Sequence, residues 1–206
     1  MSPFNDQINL DVLAEDNVRT LEIPKGKLGI PTVVGLIGIP GSGKTYLSKY
    51  IVQSLPIALL SEEEMLKFLA PRLTFFNRAQ DQVVVLALKT MERLIKRGVS
   101  YIFDFNIKKR HDRQIFNQTV EAAGGKFILI YVDVDKRDAY KRITKGNYQV
   151  TRGEKKAVIL NKDLFEYEVA STMVPIAEER ALKFNSKNPE GMETLLGQIS
   201  KLTSVS

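Results

Sequence analysis

Apolar residues in this chain gather into short β-branched runs, separated by longer stretches in which they recur every three or four positions. The run TVVGLI at 32–37 is too short for a globular helix and suits a strand buried on both faces. IALL (57–60), VSYIFDF (99–105), KFILIYVDV (126–134) and ALKFN (181–185) repeat that signal, for five strands in all. Between them the helical period takes over. One helix is predicted at about Lys44–Ser54, and another opens at Ser61, where Ser-x-x-Glu with Glu64 reads as a capping box. A long one spans Arg78 to Arg97, with Val84, Leu88, Met91, Leu94 and Ile95 on one stripe and Gly98 as its stop. A basic helix is expected to about Ala123, before a Gly124-Gly125 break. A Lys- and Arg-rich helix ends at Gly146, one starts from about Glu154, and a last one from about Gly191. Strands alternating with helices in this way imply a mostly parallel five-stranded sheet covered on both sides, a three-layer α/β/α architecture.

Residues 1–30 depart from the pattern. Pro3, Pro24, Gly26 and Gly29 read as turns and short extended pieces, an N-terminal extension to a domain spanning 31–206. A length of 206 residues allows one ordinary domain and such an appendage. With 44% hydrophobic and 26% charged residues the chain is neither disordered nor a coiled coil. It has no Cys, and His111 is its one histidine, which excludes disulfides, thiolate chemistry and a histidine-built metal site. Carboxylates, hydroxyls, Lys and Arg must do whatever chemistry there is. No apolar run reaches the roughly eighteen residues of a membrane span. The acidic start, with Asp6, Asp11, Glu15 and Asp16 ahead of Arg19, lacks the basic and apolar regions of a secretory signal, so a cytoplasmic address is expected. The net charge of +6 suits an anionic partner without naming it.

The segment Gly38-Ile39-Pro40-Gly41-Ser42-Gly43-Lys44-Thr45 satisfies G-x-x-x-x-G-K-[ST] at every constrained position. Ordinary residue frequencies produce such a match in on the order of 1% of chains of this length. Here it also follows a predicted buried strand and opens a predicted helix, as required if loop amides and the helix N-terminus are to surround phosphate oxygens. Gly38, Gly41 and Gly43 would let the backbone come close, Ser42 lies among the cradling amides, Lys44 would neutralise the β and γ groups, and Thr45 would offer its hydroxyl to Mg²⁺. Asp104 is delivered by its parallel strand to the same sheet edge and is the expected magnesium carboxylate; the competing reading is a turn cap.

GIPGSGKT, together with Asp104-Phe105-Asn106 and the downstream Arg110 and Arg113, resembles the small P-loop kinases that include phage polynucleotide kinase, zeta toxins and gluconate and chloramphenicol kinases. The likeness covers residues 32–186. It implies a P-loop NTPase fold, ATP- and Mg²⁺-dependent transfer of a phosphoryl group to a hydroxyl, a helical lid carrying Arg after the fourth strand, and an acidic base after the second. That base falls on Glu62, which competes with a role for Ser61 to Glu64 in capping their helix. Relatives often have Arg three residues after the acid, where this chain has Met65. The difference weakens a nucleic-acid 5′-hydroxyl as acceptor. Asn106, Arg110 and Arg113 would then contact the acceptor, whose identity stays open. Nucleic acid is not favoured, because the aromatic interleaving of single-strand binders is missing.

The lid is expected at about 136–156, where eight cations stand against two carboxylates, an excess equal to the net charge of the whole chain. Arg142 and Arg152 are the candidates for stabilising the γ-phosphate, against the plainer reading of cations favouring a helix C-terminus. A nucleotide-dependent switch or accessory ATPase without a phosphorylated product is the alternative function. Oligomeric state is left open.

Overall fold

In the computed structural model, which describes residues 9–69, 71, 79–151, 160–188 and 190–204, five parallel strands form one sheet in the order β2-β3-β1-β4-β5. They are β1 (Thr32–Ile37), β2 (Ala58–Ser61), β3 (Tyr101–Asn106), β4 (Lys126–Asp133) and β5 (Leu182–Asn185). The helices are α1 (Leu10–Thr20), α2 (Lys44–Ser54), α3 (Glu62–Leu69), α4 (Ala79–Lys96), α5 (Arg110–Ala122), α6 (Lys136–Thr151), α7 (Lys162–Ser171) and α8 (Gly191–Thr203). The central strand β1 is buried at all six positions, which is why its sequence is continuously apolar rather than alternating. Alternate residues of β1 serve two cores. Val33 packs with Met91 of α4 and Val120 of α5 on one face, whereas Val34 and Leu36 pack with Ile51 of α2 and Ile199 of α8 on the other. The α/β/α layering read from the sequence is therefore present. No helix among the described residues is long and apolar enough to cross a membrane.

Three expectations need correction or completion. Residues 10–20 form a helix, not turns. Asn9 caps α1 by accepting hydrogen bonds from the amides of Asp11 (3.0 Å) and Val12 (3.3 Å), and Ala14 and Val18, one turn apart, are buried within the α4 side of the core. Asp11 then pairs with Lys89 and Arg93, and Glu15 with Arg97. A stripe this narrow in a polar segment gives little periodic signal, so its burial depends on α4 being there to receive it. The Lys- and Arg-rich helix also runs past Gly146 to Thr151, because an interior glycine weakens a helix without ending it. The expected start at Glu154 lies outside the described residues, and α7 is described from Lys162.

A register shift sets up the site. On β1, Gly35 stands opposite Phe103 and Leu36 opposite Asn106, so β3 carries extra residues at Asp104 and Phe105. Side chains along β3 still alternate between its two faces. Phe103 and Phe105 stack on the α4–α5 side with ring centroids 3.9 Å apart, while Asp104 reaches α2 on the other.

Candidate active site at the carboxyl edge of the sheet

The loop between β1 and α2 reaches its conformation through glycine. Gly41 has φ +77° and Gly43, the residue before α2, has φ +104°, values that L side chains rarely adopt. A Cβ on Gly41 would also sit 2.4 Å from the carbonyl oxygen of Ala139, since α6 lies directly against the loop. Lys44 folds back over it, with Nζ donating to the carbonyls of Gly38 (2.8 Å) and Ile39 (3.3 Å). Burial of that ammonium is the main reason its pKa is held down to about 8; the nearby Lys108 adds to the depression, and Asp104 and Glu168 oppose it. Ser42 is fully buried and its hydroxyl oxygen has no partner among the described residues. A desolvated cation and an orphan hydroxyl inside a glycine cradle are what a polyphosphate would satisfy, so the residues present fit that group.

Ser48 Oγ lies 3.2 Å from a carboxylate oxygen of Asp104 and 3.0 Å from the carbonyl of Thr45, and its single proton is shared between these two acceptors. This bridge fixes the carboxylate beside the first turn of α2, where Thr45 is exposed. Among the described residues no group of three or more carboxylate or imidazole side chains is arranged to hold a metal ion by itself. A magnesium ion here would therefore be shared between Thr45, Asp104 and phosphate oxygens, the usual arrangement for a hard cation that retains several outside ligands.

Ser61 ends β2 in register with Asp104, so Glu62 enters the same region. Half of the expected capping box forms, with Ser61 Oγ accepting from the amide of Glu64 at 3.2 Å. Glu62 is exposed as a residue, yet the protein crowded around its carboxyl raises its pKa; Asp104 adds to that and Lys108 opposes it. It lines a cavity of about 300 Å³ together with Asn106, whose side-chain oxygen is buried without a partner among the described residues.

The remaining predicted residues divide. Arg142 donates to the loop carbonyls of Gly41 (3.2 Å) and Ser42 (3.1 Å) and to Ser186 Oγ (3.0 Å). It therefore reaches the loop at carbonyl oxygens rather than at the amides a phosphate would use. Arg152 lies outside the described residues. The expectation that Arg113 contacts substrate is corrected. Its side chain is 2% exposed, with Nε and Nη2 donating to Glu179 at 2.5 and 2.9 Å and Nη1 to the carbonyls of Ile107 and Lys108. Four of the five N–H groups of this buried guanidinium are taken up by the protein, so its role in the fold is to hold Glu179 and the turn before α5. Arg110 is exposed and borders a separate cavity of about 700 Å³ between α5 and β4, whose wall includes none of the phosphate-loop residues. That space is the larger one, but it is not where Lys44, Asp104 and Glu62 converge. Sequence reasoning missed Ser48 and Glu168. Ser48 follows Lys44 by one helical turn, a readable clue. Glu168 comes from α7 to pair with Lys108, and no local spacing announces it.

Comparison with known proteins agrees with the fold. The family described as AAA domain, AAA_33, matches residues 33–161. Among solved structures, Kti12 of Chaetomium thermophilum in complex with ADP-AlF3 has TM-score 0.63 and 13% identity, covering 84% of this chain and 100% of its own. The APS kinase CysC of Mycobacterium tuberculosis in complex with AMPPNP and APS has TM-score 0.59 and 16% identity, with coverages of 84% and 97%. A gluconokinase from Sinorhizobium meliloti has TM-score 0.57 and 13% identity, with coverages of 86% and 95%. At these identities the likeness is one of fold. No curated protein sequence matches the chain.

Proposed function

The chain belongs to the AAA_33 family, with the fold of the small P-loop kinases, and from that premise we propose that it is an ATP- and Mg²⁺-dependent phosphotransferase acting on a hydroxyl. One observation carries the reading: the phosphate-loop Lys44, the carboxylate Asp104 and a second, pKa-raised carboxylate, Glu62, meet at one edge of a parallel sheet. A nucleotide switch needs the first two. A carboxylate such as Glu62 could also orient water for hydrolysis; what favours an acceptor is the apolar cavity that Glu62 lines.

Lys44 and the loop amides hold the polyphosphate, and the burial that depresses the Lys44 pKa in the free chain strengthens its attraction to phosphate. Thr45 and Asp104 are the groups that would hold Mg²⁺, which when bound supplies positive charge to the phosphate oxygens. Glu62 takes the proton from the acceptor hydroxyl as that oxygen bonds to the γ-phosphorus. The bond from phosphorus to the bridging oxygen breaks, and its electron pair leaves on ADP. Arg142 would serve the transferred group by exchanging its loop carbonyls for phosphate oxygens, as a closing lid requires.

The test uses ATP labelled in the γ-phosphate with a panel of alcohols. Label should appear in an organic phosphate, Lys44→Ala should abolish it, and Glu62→Gln should lower kcat by about 10²–10⁴. Because the Glu62 pKa is raised, its basic form is lost as pH falls through that value, and the acid limb of kcat should lie above the ordinary carboxylate range. Label found in free phosphate alone, with every acceptor, would instead mean an ATPase.

A further inference from the structure

The cavity beside Glu62 has a composition that narrows the acceptor. Its floor and walls are the stacked Phe103 and Phe105 of β3 with Phe116 of α5, whose ring centroid is 4.9 Å from that of Phe103. Val84 of α4 and Ile115 of α5, 45% and 38% exposed, also line it and leave apolar surface open to solvent. The polar groups that join this lining are the carboxylates of Glu62 and Asp112 and the side-chain amide of Asn106, whose oxygen is buried and unpartnered among the described residues. No Lys or Arg among the described residues contributes to the wall. The cations expected there are engaged elsewhere. Arg113 is bound by Glu179, Arg110 faces the other cavity, and Lys108, which acts electrostatically on Glu62, is held by Glu168 of α7.

A buried lone pair with no donor and two carboxylates ask for O–H or N–H donors and repel anions, while the aromatic wall rewards apolar area. A volume of about 300 Å³ is at the small end of ligand sites, enough for a single compact molecule. Resting on the kinase reading above, we infer that the acceptor is a compact alcohol with an apolar body that carries no phosphate, sulfate or carboxylate, seated between α4 and α5 with its hydroxyl towards Glu62. Glu62 belongs both to this wall and to the electrostatic neighbourhood of Asp104, so an alcohol here has its oxygen at the boundary between the apolar site and the phosphate site. The carboxylates of Glu62 and Asp112 on this wall disfavour nucleic-acid ends, sugar phosphates and acidic sugars.

Ligand-observed NMR on the full chain without nucleotide tests this with four probes that share one ring. They are benzyl alcohol, para-aminomethylbenzyl alcohol, para-hydroxymethylbenzoate and para-hydroxymethylphenyl phosphate. The neutral and cationic probes should bind at least about tenfold more tightly than the two anions. Val84→Arg and Ile115→Arg change exposed positions at the cavity, and folding is checked by their melting temperatures. Each should weaken the amine and strengthen the anions. Anions binding as well as benzyl alcohol to the unaltered chain would overturn the inference, as would binding by none of the four, or an order indifferent to both arginine variants. The order is read without ATP, so it stands or falls separately from phosphoryl transfer, which the label experiment decides.

Discussion

The buried ammonium of Lys44 makes nucleotide binding a proton-coupled event of calculable size. With its pKa held at about 8 in the free chain, about half of the Lys44 side chains lack a proton at pH 8, about nine-tenths at pH 9 and about one-tenth at pH 7. A polyphosphate beside Nζ favours the charged form and returns the lysine to its ordinary range. Binding must then take up about 0.1 proton at pH 7, about 0.5 at pH 8 and about 0.9 at pH 9. The sign follows from the charge: the binding form is the cation, so affinity is complete below the free-state pKa and lost above it, by about tenfold between pH 7 and pH 9. Isothermal calorimetry with magnesium and ADP, whose own phosphates do not titrate above pH 8, would measure the uptake from the dependence of heat on buffer ionisation enthalpy. Lys44→Arg keeps a cation that does not titrate in this range and should abolish the uptake. Proton uptake that is flat from pH 7 to pH 9, or that persists in Lys44→Arg, would refute the argument that burial depresses this lysine.

Two further predictions concern the scaffold. Arg113→Met should cost about 3–5 kcal/mol in urea unfolding, because it leaves the half-buried Glu179 carboxylate without its bidentate partner and removes the Arg113 donor from the Ile107 carbonyl; a loss below about 1 kcal/mol would mean the buried pair is not holding α5 to the segment before β5. Tyr101→Phe should leave stability unchanged or raise it by about 1–2 kcal/mol, since the Tyr101 hydroxyl is fully buried in β3 with no partner among the described residues; clear destabilisation in the same assay would show that the hydroxyl has a partner after all.

The neighbours that set the chemistry of the two central carboxylates come from different ranges of the chain. Asp104 stands near the carboxyl end of β3, where a parallel strand after a buried run delivers its last residues. What holds it is Ser48, 56 residues away, whereas the two-residue alternation of Phe103, Asp104 and Phe105 is enough to turn it from the aromatic side of β3. Glu62 looked equally like a base or a helix cap in one dimension, and in the fold the cap is supplied by Ser61 while Glu62 lines a cavity. Arg110 and Arg113 looked alike, three residues apart in one basic helix. At that spacing they lie on nearly the same helical face, yet Arg110 stays exposed in the first turn while Arg113 is buried against Glu179, 66 residues on.

Local order alone determined the alternation of strand and helix and the phosphate loop, because periodicity, glycine conformation and the register of Lys44 depend on neighbours a few bonds apart. Packing alone decided whether a polar side chain faces a ligand or a partner, whether α1 finds an apolar surface to lie on, and how far Lys44 is desolvated. Those outcomes are set by free-energy differences between groups far apart in the chain, and spacing along the sequence carries no record of them.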